Sequence, residues 1–369
     1  MSQRAAARRM ARLAVGFGSA WLARATHRTP PRLPILLAFL TWRCNLGCRM
    51  CGVSDLPAGT REDELDTQGW RAVLDSADRL GCAVVSFSGG EISLRPDACA
   101  IFAHAAAKGM GVHVCSNATR IDPSYATALH EAGVHSVSIS LDAPRAEEHD
   151  AQRGEGSFDA TIAGVRALRE VAPRIRIGVN TTITSRNLHQ MAAMIPFCEE
   201  LGASQLKFAP IHTNLLHRDK DWSIAGDLLF GPRDLPALEA QLAQVITARR
   251  HSRLQLVSTR YLERIPAQYR DPQPFRCYAG YAVAAVGPDG RLGPCAEHSD
   301  GPVAGERSLE ELWRSPALAA QRRSVRRCSV ACWDTTNSEL SIRLSPSALL
   351  NTLEDSWRDL RFYLEPEER

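Results

Sequence analysis

Cys44-Asn45-Leu46-Gly47-Cys48-Arg49-Met50-Cys51 places three thiols within eight residues, directly after an apolar run at 35–42. Thiolates at this C-x₃-C-x₂-C spacing converge on one centre only if the backbone turns tightly between them. Gly47 is the residue expected to allow that turn, because glycine reaches positive φ cheaply. A closed structural zinc site wants four protein ligands, and no fourth cysteine or histidine stands nearby in the chain. Three thiolates suit a [4Fe–4S] cube with one iron left open for an exogenous ligand. A zinc knuckle and three buried thiols are the competing readings.

Outward from this stretch, apolar runs alternate with amphipathic helical patterns. The expected strands are 35–42, 83–88, 112–116, 136–141, 175–182 and 205–210. Between them, Trp70, Val73, Leu74, Ala77 and Leu80 form one helical face, which Gly81 stops. Phe158, Ile162, Val165 and Leu168 form another, and a helix at 123–132 ends at Gly133. Such alternation argues for an α/β fold with a parallel sheet and helices outside. Six units give a partial (β/α)6 TIM-like barrel over 35–250, with its chemistry at the C-terminal ends of the strands. The three cysteines follow the first strand and so fall at that end.

Residues 1–34 precede the barrel as a helix and linker. Met10, Leu13, Phe17 and Trp21 share one helical face, with Arg4, Arg8, Arg9, Arg12, Arg24 and Arg28 around it. Peripheral contact of residues 1–29 with an anionic membrane is one expectation; packing against the outside of the barrel is the other. A secretory signal cleaved at Ala23-Arg24-Ala25 is rejected, because export would strip the cluster of its reductant. Thr29-Pro30-Pro31-Arg32-Leu33-Pro34 ends the helix, since proline offers no N–H. The aperiodic stretch 212–231, with His212, His217 and Trp222, is expected over the barrel mouth or as an ordinary surface loop. A tail at 334–369 follows the last cysteines, with an amphipathic helix at 348–364.

A chain of 369 residues can hold one large core and an appended smaller region. A net charge of +3, with no basic stripe interleaved with aromatics, gives no argument for nucleic acid. Eleven cysteines, clustered in so large a chain, point to metal or catalysis rather than disulfides. A low-potential cluster needs a reducing compartment, so a cytoplasmic location is expected. Cys82, Cys99, Cys115, Cys198 and His113 stand singly in strand or helix patterns and read as core.

With Met50 in the apolar slot before its last cysteine, the opening motif resembles the signature of the radical S-adenosylmethionine (SAM) superfamily. Ser88-Gly89-Gly90-Glu91 resembles the family stretch that contacts the methionine amino group, so Gly89, Gly90 and Glu91 are implied as SAM ligands. Ser138-Ile139-Ser140-Leu141-Asp142 resembles the family's Ser-Leu-Asp pattern. Ser138 and Ser140 share one strand face, and SAM would satisfy their hydroxyls. The stretch His149-Asp150-Ala151-Gln152-Arg153-Gly154 resembles one typical of the peptide- and small-molecule-modifying branch. It implies a bidentate contact of Arg153 with the SAM carboxylate. Asn180 and Thr182, on one face of the fifth strand, are further candidates; Asn117 reads as a loop-shaping residue.

The resemblance also implies a mechanism. A one-electron donor such as flavodoxin or ferredoxin reduces the cluster on Cys44, Cys48 and Cys51. SAM is then cleaved to methionine and a 5′-deoxyadenosyl radical, which takes hydrogen from a small-molecule, lipid-linked or peptide substrate. The 34 residues before the barrel are too few for a fused peptide-recognition domain, which counts against peptide maturation unless a separate carrier delivers the peptide. A small molecule such as a sugar, or a lipid-linked substrate brought in by the N-terminal helix, is expected on an equal footing. A zinc- or iron–sulfur-stabilised binding protein is the non-enzyme alternative.

Cys277, Cys295, Cys328 and Cys332 form a second set. Pro288-Asp289-Gly290 marks a hairpin turn that would bring Cys277 near Cys295. Residues 277–333 resemble the SPASM/twitch extension of the family. Four cysteines imply the shorter form with one second [4Fe–4S] cluster, and a net oxidation or bond formation; a Cys₄ zinc site is the alternative. The C-x₃-C spacing of Cys328 and Cys332 departs from the commoner C-x₂-C.

Overall fold

The computed structural model describes residues 3–56, 63–213, 222–223, 225–271, 275–295, 301–304, 307–329, 332–345 and 362. A long N-terminal helix, α1 (Gln3–Ala25), leads to β1 (Ile35–Thr41), α2 (Thr67–Arg79), β2 (Val84–Gly89), α3 (Ala98–Ala107) and β3 (Gly111–Ser116). Then come α4 (Pro123–Glu131), β4 (Ser136–Ser140), α5 (Ala146–Arg153), α6 (Ser157–Val171), β5 (Arg176–Ile183), α7 (Met194–Glu200) and β6 (Gln205–Pro210). Next are α8 (Leu235–Arg249), β7 (Gln255–Leu256), α9 (Thr259–Arg270), β8 (Val283–Val286) and β9 (Leu292–Gly293). The last described helices are α10 (Leu309–Trp313), α11 (Pro316–Arg326) and α12 (Leu340–Arg343).

The strands form one sheet in the order β7-β6-β5-β4-β3-β2-β1-β8-β9. Every pair is parallel except β8–β9. The two ends of the sheet do not meet, so the architecture is an open, partial barrel. All six expected strands are present. Two features were not visible: the two-residue β7 is too short for a pattern, and β8 pairs in parallel with β1. The β8–β9 hairpin therefore extends the barrel sheet itself. Val283–Val286 is buried along its whole length, which suits a strand covered on both faces.

Helices cover the outside of the sheet. Asp66 caps α2 by accepting from the Gly69 N–H at 2.7 Å. The α2 face Trp70, Val73, Leu74 and Ala77 then packs on Leu36, Ala38 and Leu40 of β1. Each fully buried large apolar side chain of this layer contributes roughly 1.5–3 kcal/mol.

The N-terminal helix packs on this core. Met10, Leu13 and Phe17 meet Ile35, Ala83 and Val84, while Ala20 and Ala23 meet Tyr278, Tyr281 and Val283. Buried Arg9 bonds His135 at 2.5 Å. Arg12 donates to the Cys82 carbonyl at 3.1 Å and pairs with Asp78 at 2.9 Å. Most of the apolar face expected to meet lipid is thus covered by the barrel, and only Trp21 of its four residues is exposed. Among the described residues no helix is long and apolar enough to cross a membrane. The helix expected at 348–364 lies outside the described residues except for Phe362, which is buried edge-on to His113. His217 also lies outside them.

Candidate active site

Cys44, Cys48 and Cys51 line one cavity of about 230 Å³ at the C-terminal ends of the strands. The loop that carries them is anchored where β1 ends. Glu64, its side chain 7% exposed, accepts from Thr41 Oγ1 at 2.6 Å and the Trp42 N–H at 3.0 Å, and pairs with Arg43 at 3.0 Å. Met50 packs with Cys48, Ile211, Ala225 and Leu228, and Trp222 lies against the same group. Gly47 departs from expectation: it is not among the positive-φ glycines, and a Cβ there would meet nothing within 4 Å among the described residues. The turn is made instead by the Cys51 N–H donating to the Cys48 carbonyl at 3.0 Å.

Burial pushes all three thiols upward; Cys48 raises Cys44 further, Cys48 and Cys44 raise Cys51, and Asp142 raises Cys48. Arg153 opposes this at Cys48. Three thiolates so placed need a cation among them, because both burial and mutual repulsion favour the neutral thiol. The donor set therefore fits an iron–sulfur cluster. Among the described residues no three His, Cys, Asp or Glu side chains are gathered as one metal ion would require; a four-iron cube spreads its thiolates wider.

Gly89 and Gly90 line the cavity, but what comes close to them is the chain itself. Gly89 has φ +138°, and a Cβ there would stand 2.2 Å from the Thr41 carbonyl oxygen. A Cβ on Gly90 would stand 2.2 Å from that of Arg43. The two glycines let β2 lie against the start of the cysteine loop, sealed by Gly90 N–H to Thr41 and Glu91 N–H to Arg43, both 2.7 Å. Glu91 is fully buried. Its carboxylate accepts from Ser116 Oγ at 2.8 Å, the Asn117 N–H at 2.8 Å and the Ser93 N–H at 3.1 Å. It is not on the cavity wall, so in this structure it ties the end of β2 to the end of β3. Asn117 does shape the loop, donating to Asn45 Oδ1 at 3.0 Å.

Arg153 also lines the cavity, yet its bidentate fork is already engaged. Nε donates to one Asp142 oxygen at 2.6 Å and Nη2 to the other at 3.0 Å. Its Nη1 lies 3.9 Å from Cys48 Sγ. Asp142, buried, also accepts from the Thr182 N–H at 2.8 Å. This pairing and the nearby thiols outweigh burial and hold Arg153 firmly protonated. Ser140 and Thr182 reach the cavity wall. Ser138 lies two residues lower on β4, 1% exposed, and its Oγ has no partner among the described residues. Asn180, paired in register with Ser140, likewise has a buried Oδ1 without a partner among the described residues.

Sequence reasoning missed two contributors, Glu64 and Cys115, and named two others, His212 and Trp222, only within the stretch expected over the barrel mouth or as a surface loop. Glu64 stands in a polar stretch with no motif. Cys115, read as core, lines the cavity, as does His212 just after β6. Trp222 was legible only as part of an aperiodic loop. Cys82 and Cys198 are buried as expected.

Residues 39–195 match the family described as the radical SAM superfamily. Over 305 residues the chain is 30% identical to the PqqA peptide cyclase of Xanthomonas campestris pv. campestris (strain B100), covering 80% of this chain and 77% of that one. The chain belongs to the radical SAM superfamily. It is also 32% identical over 174 residues to the AdoMet-dependent heme synthase of Nitratidesulfovibrio vulgaris, a match covering 47% of each chain. It thus spans about half the length of that relative. Streptococcus suis SuiB, solved with its precursor peptide SuiA, superposes with a TM-score of 0.64 at 18% identity, over 81% of this chain and 69% of that one. That likeness concerns the fold.

Radical SAM enzymes use a [4Fe–4S] cluster and SAM, and the cavity of this radical SAM chain is lined by three cysteines together with Ser140, Arg153 and Thr182. The second cysteine set comes from the segments flanking the β8–β9 hairpin and from the chain after α11. Cys277 precedes β8, Cys295 follows β9, and Cys328 and Cys332 follow α11. They are close enough to act on one another: Cys328 raises the Cys277 thiol, and Cys277 and Cys295 raise that of Cys332. Burial pushes Cys277 to about 11 and Cys332 well above its usual value. As at the first site, buried neighbouring thiols fit a group that withdraws their charge.

Proposed function

We propose that this protein is a radical SAM enzyme that reductively cleaves SAM and takes hydrogen from a peptide substrate. The observation that carries the reading is that Cys44, Cys48 and Cys51 share one cavity with Gly89, Gly90, Ser140 and Arg153. A cluster held by these cysteines would supply one electron to the SAM sulfonium. The chain's own residues bind and orient. Arg153, fixed by Asp142, places a cation beside Cys48, and Glu91 fixes the Ser116–Asn117 wall. Ser138 and Asn180 offer unpaired polar atoms below the wall to SAM or to ordered water. Trp222, Met50 and Ile211 keep the cysteine loop dry.

A peptide substrate is supported by the peptide cyclase that shares most of this chain's length; small-molecule and lipid-linked substrates are the alternatives. Cys277, Cys295, Cys328 and Cys332 are proposed to hold a second [4Fe–4S] cluster that accepts an electron during turnover. A cytoplasmic location with a flavodoxin or ferredoxin as donor goes with this chemistry. Peripheral membrane contact now rests on the outward side of α1, where Val15, Trp21 and Leu22 are 60%, 39% and 57% exposed near Arg8. The test is anaerobic reconstitution followed by dithionite and SAM. Methionine and 5′-deoxyadenosine should appear in equal amounts, from protein holding about eight irons at four per cube. Intact SAM in the presence of a reduced first cluster would remove the reading.

A further inference from the structure

We propose that Arg24, on the N-terminal helix, sets the reduction potential of the cluster held by Cys277, Cys295, Cys328 and Cys332. This inference rests on the second-cluster reading above. Arg24 Nε donates to the Cys277 carbonyl at 2.7 Å. Its guanidinium carbon lies 5.4 Å from the Tyr278 ring centroid and 6.0 Å from that of Tyr281. One carbonyl and two aromatic faces thus fix a cation beside a cluster ligand. The helix is held there by Ala20 and Ala23, packed on Tyr278, Tyr281, Ala282 and Val283. Burial and Arg276 work against the Arg24 charge, while Tyr278, Tyr281 and Cys277 favour it. The helix belongs to no strand–helix unit of the barrel. Its Arg24 delivers a charge to a site more than two hundred residues away in sequence.

An anion stands against it. Asp334 raises both the Cys277 and the Cys332 thiols. It is fixed by accepting from the Asn337 N–H at 3.0 Å, Asn337 Nδ2 at 2.6 Å and the Thr336 N–H at 3.1 Å. One-electron reduction adds a negative charge to a thiolate-ligated cluster. A fixed cation favours the reduced form and raises the potential; a fixed anion lowers it. Partly buried charges are screened little by salt, so the two act in opposition across Cys277.

The test is dye-mediated redox titration of full-length, anaerobically reconstituted protein, reading the second cluster by EPR while added SAM marks the first. Arg24→Gln should shift the oxidised-to-reduced ratio at fixed potential about tenfold toward oxidised, ~59 mV more negative for one electron. Arg24→Lys, which keeps the charge, should stay near wild type, and Asp334→Asn should shift the opposite way. An Arg24→Gln variant with full iron and the wild-type potential overturns the inference. So does a shift of the same sign in Arg24→Gln and Asp334→Asn, which a merely structural disturbance would give. If Arg24→Gln loses iron, Arg24→Lys decides: a wild-type potential supports the charge argument, and a negative shift of tenfold or more refutes it. Wild-type protein with iron for one cluster alone overturns the second-cluster reading, separately from the role of Arg24.

Discussion

Replacing Asp142 by alanine isolates the pair that orients the cation beside Cys48. The Asp142 side chain is 0% exposed and that of Arg153 11%. The variant would leave the guanidinium without its two acceptor oxygens and the Thr182 N–H without its partner. Breaking a buried ion pair from one side costs about 3–5 kcal/mol, because the remaining charge stays buried and unpaired. For a protein of this size, 1 kcal/mol moves Tm by roughly 2 °C. Asp142→Ala should therefore lower Tm by roughly 6–10 °C, followed by near-UV circular dichroism on anaerobically handled protein. Replacing both partners, as Asp142→Ala with Arg153→Met, removes the stranded charge and should recover more than half of that loss. A single variant that melts within 2 °C of wild type would refute the reasoning. So would a double variant melting as low as the single one.

Glu91→Ala strands Ser116 Oγ and the Asn117 N–H at the cavity wall, each orphaned donor costing ~1–3 kcal/mol. SAM affinity should fall more than tenfold with iron content unchanged, as read by equilibrium dialysis of reconstituted protein; equal affinity would make Glu91 a clamp for the fold alone. Burial lowers the pKa of His113 and His135 to about 3 and of His149 to about 4. These folded values lie below the unfolded one near 6.5, so the unfolded chain takes up protons first as pH falls. Stability should be full above pH 6.5 and drop by ~1.4 kcal/mol per unit per histidine between about pH 6 and 4; a Tm flat from pH 7 to 5 would contradict this. Replacing Trp21 and Leu22 together by serine should weaken binding to anionic vesicles, and wild-type binding should itself fall with added salt. Vesicle binding unaffected by the double substitution would leave the outward face of α1 without a lipid role.

The parts of this fold written locally were legible. The cysteine spacing, the glycine pair and six strands are patterns within a few residues, and each is where the pattern put it. What was hidden depends on partners far apart in the chain. The glycines announced a close approach, but nothing local said that Thr41 and Arg43 make it. Arg153 reads as a fork waiting for a carboxylate; Asp142, one strand end away, already fills it. For α1, one apolar face could be counted, but both sides of the helix are apolar, and only tertiary structure assigns one to the barrel. The parallel pairing of β8 with β1 joins segments separated by most of the chain, and local patterning does not encode such non-local pairing.

The central claim is that Cys44, Cys48 and Cys51 hold the cluster that cleaves SAM, and its most direct measurement is 5′-deoxyadenosine formed by Cys48→Ala. Cys48 shares the cavity with the other two thiols and lies beside Arg153 Nη1, so its loss leaves two ligands where three are needed. With dithionite and excess SAM, the variant should form no 5′-deoxyadenosine above the protein-free background, while retaining the iron bound by Cys277, Cys295, Cys328 and Cys332. Formation at the wild-type rate would contradict the account.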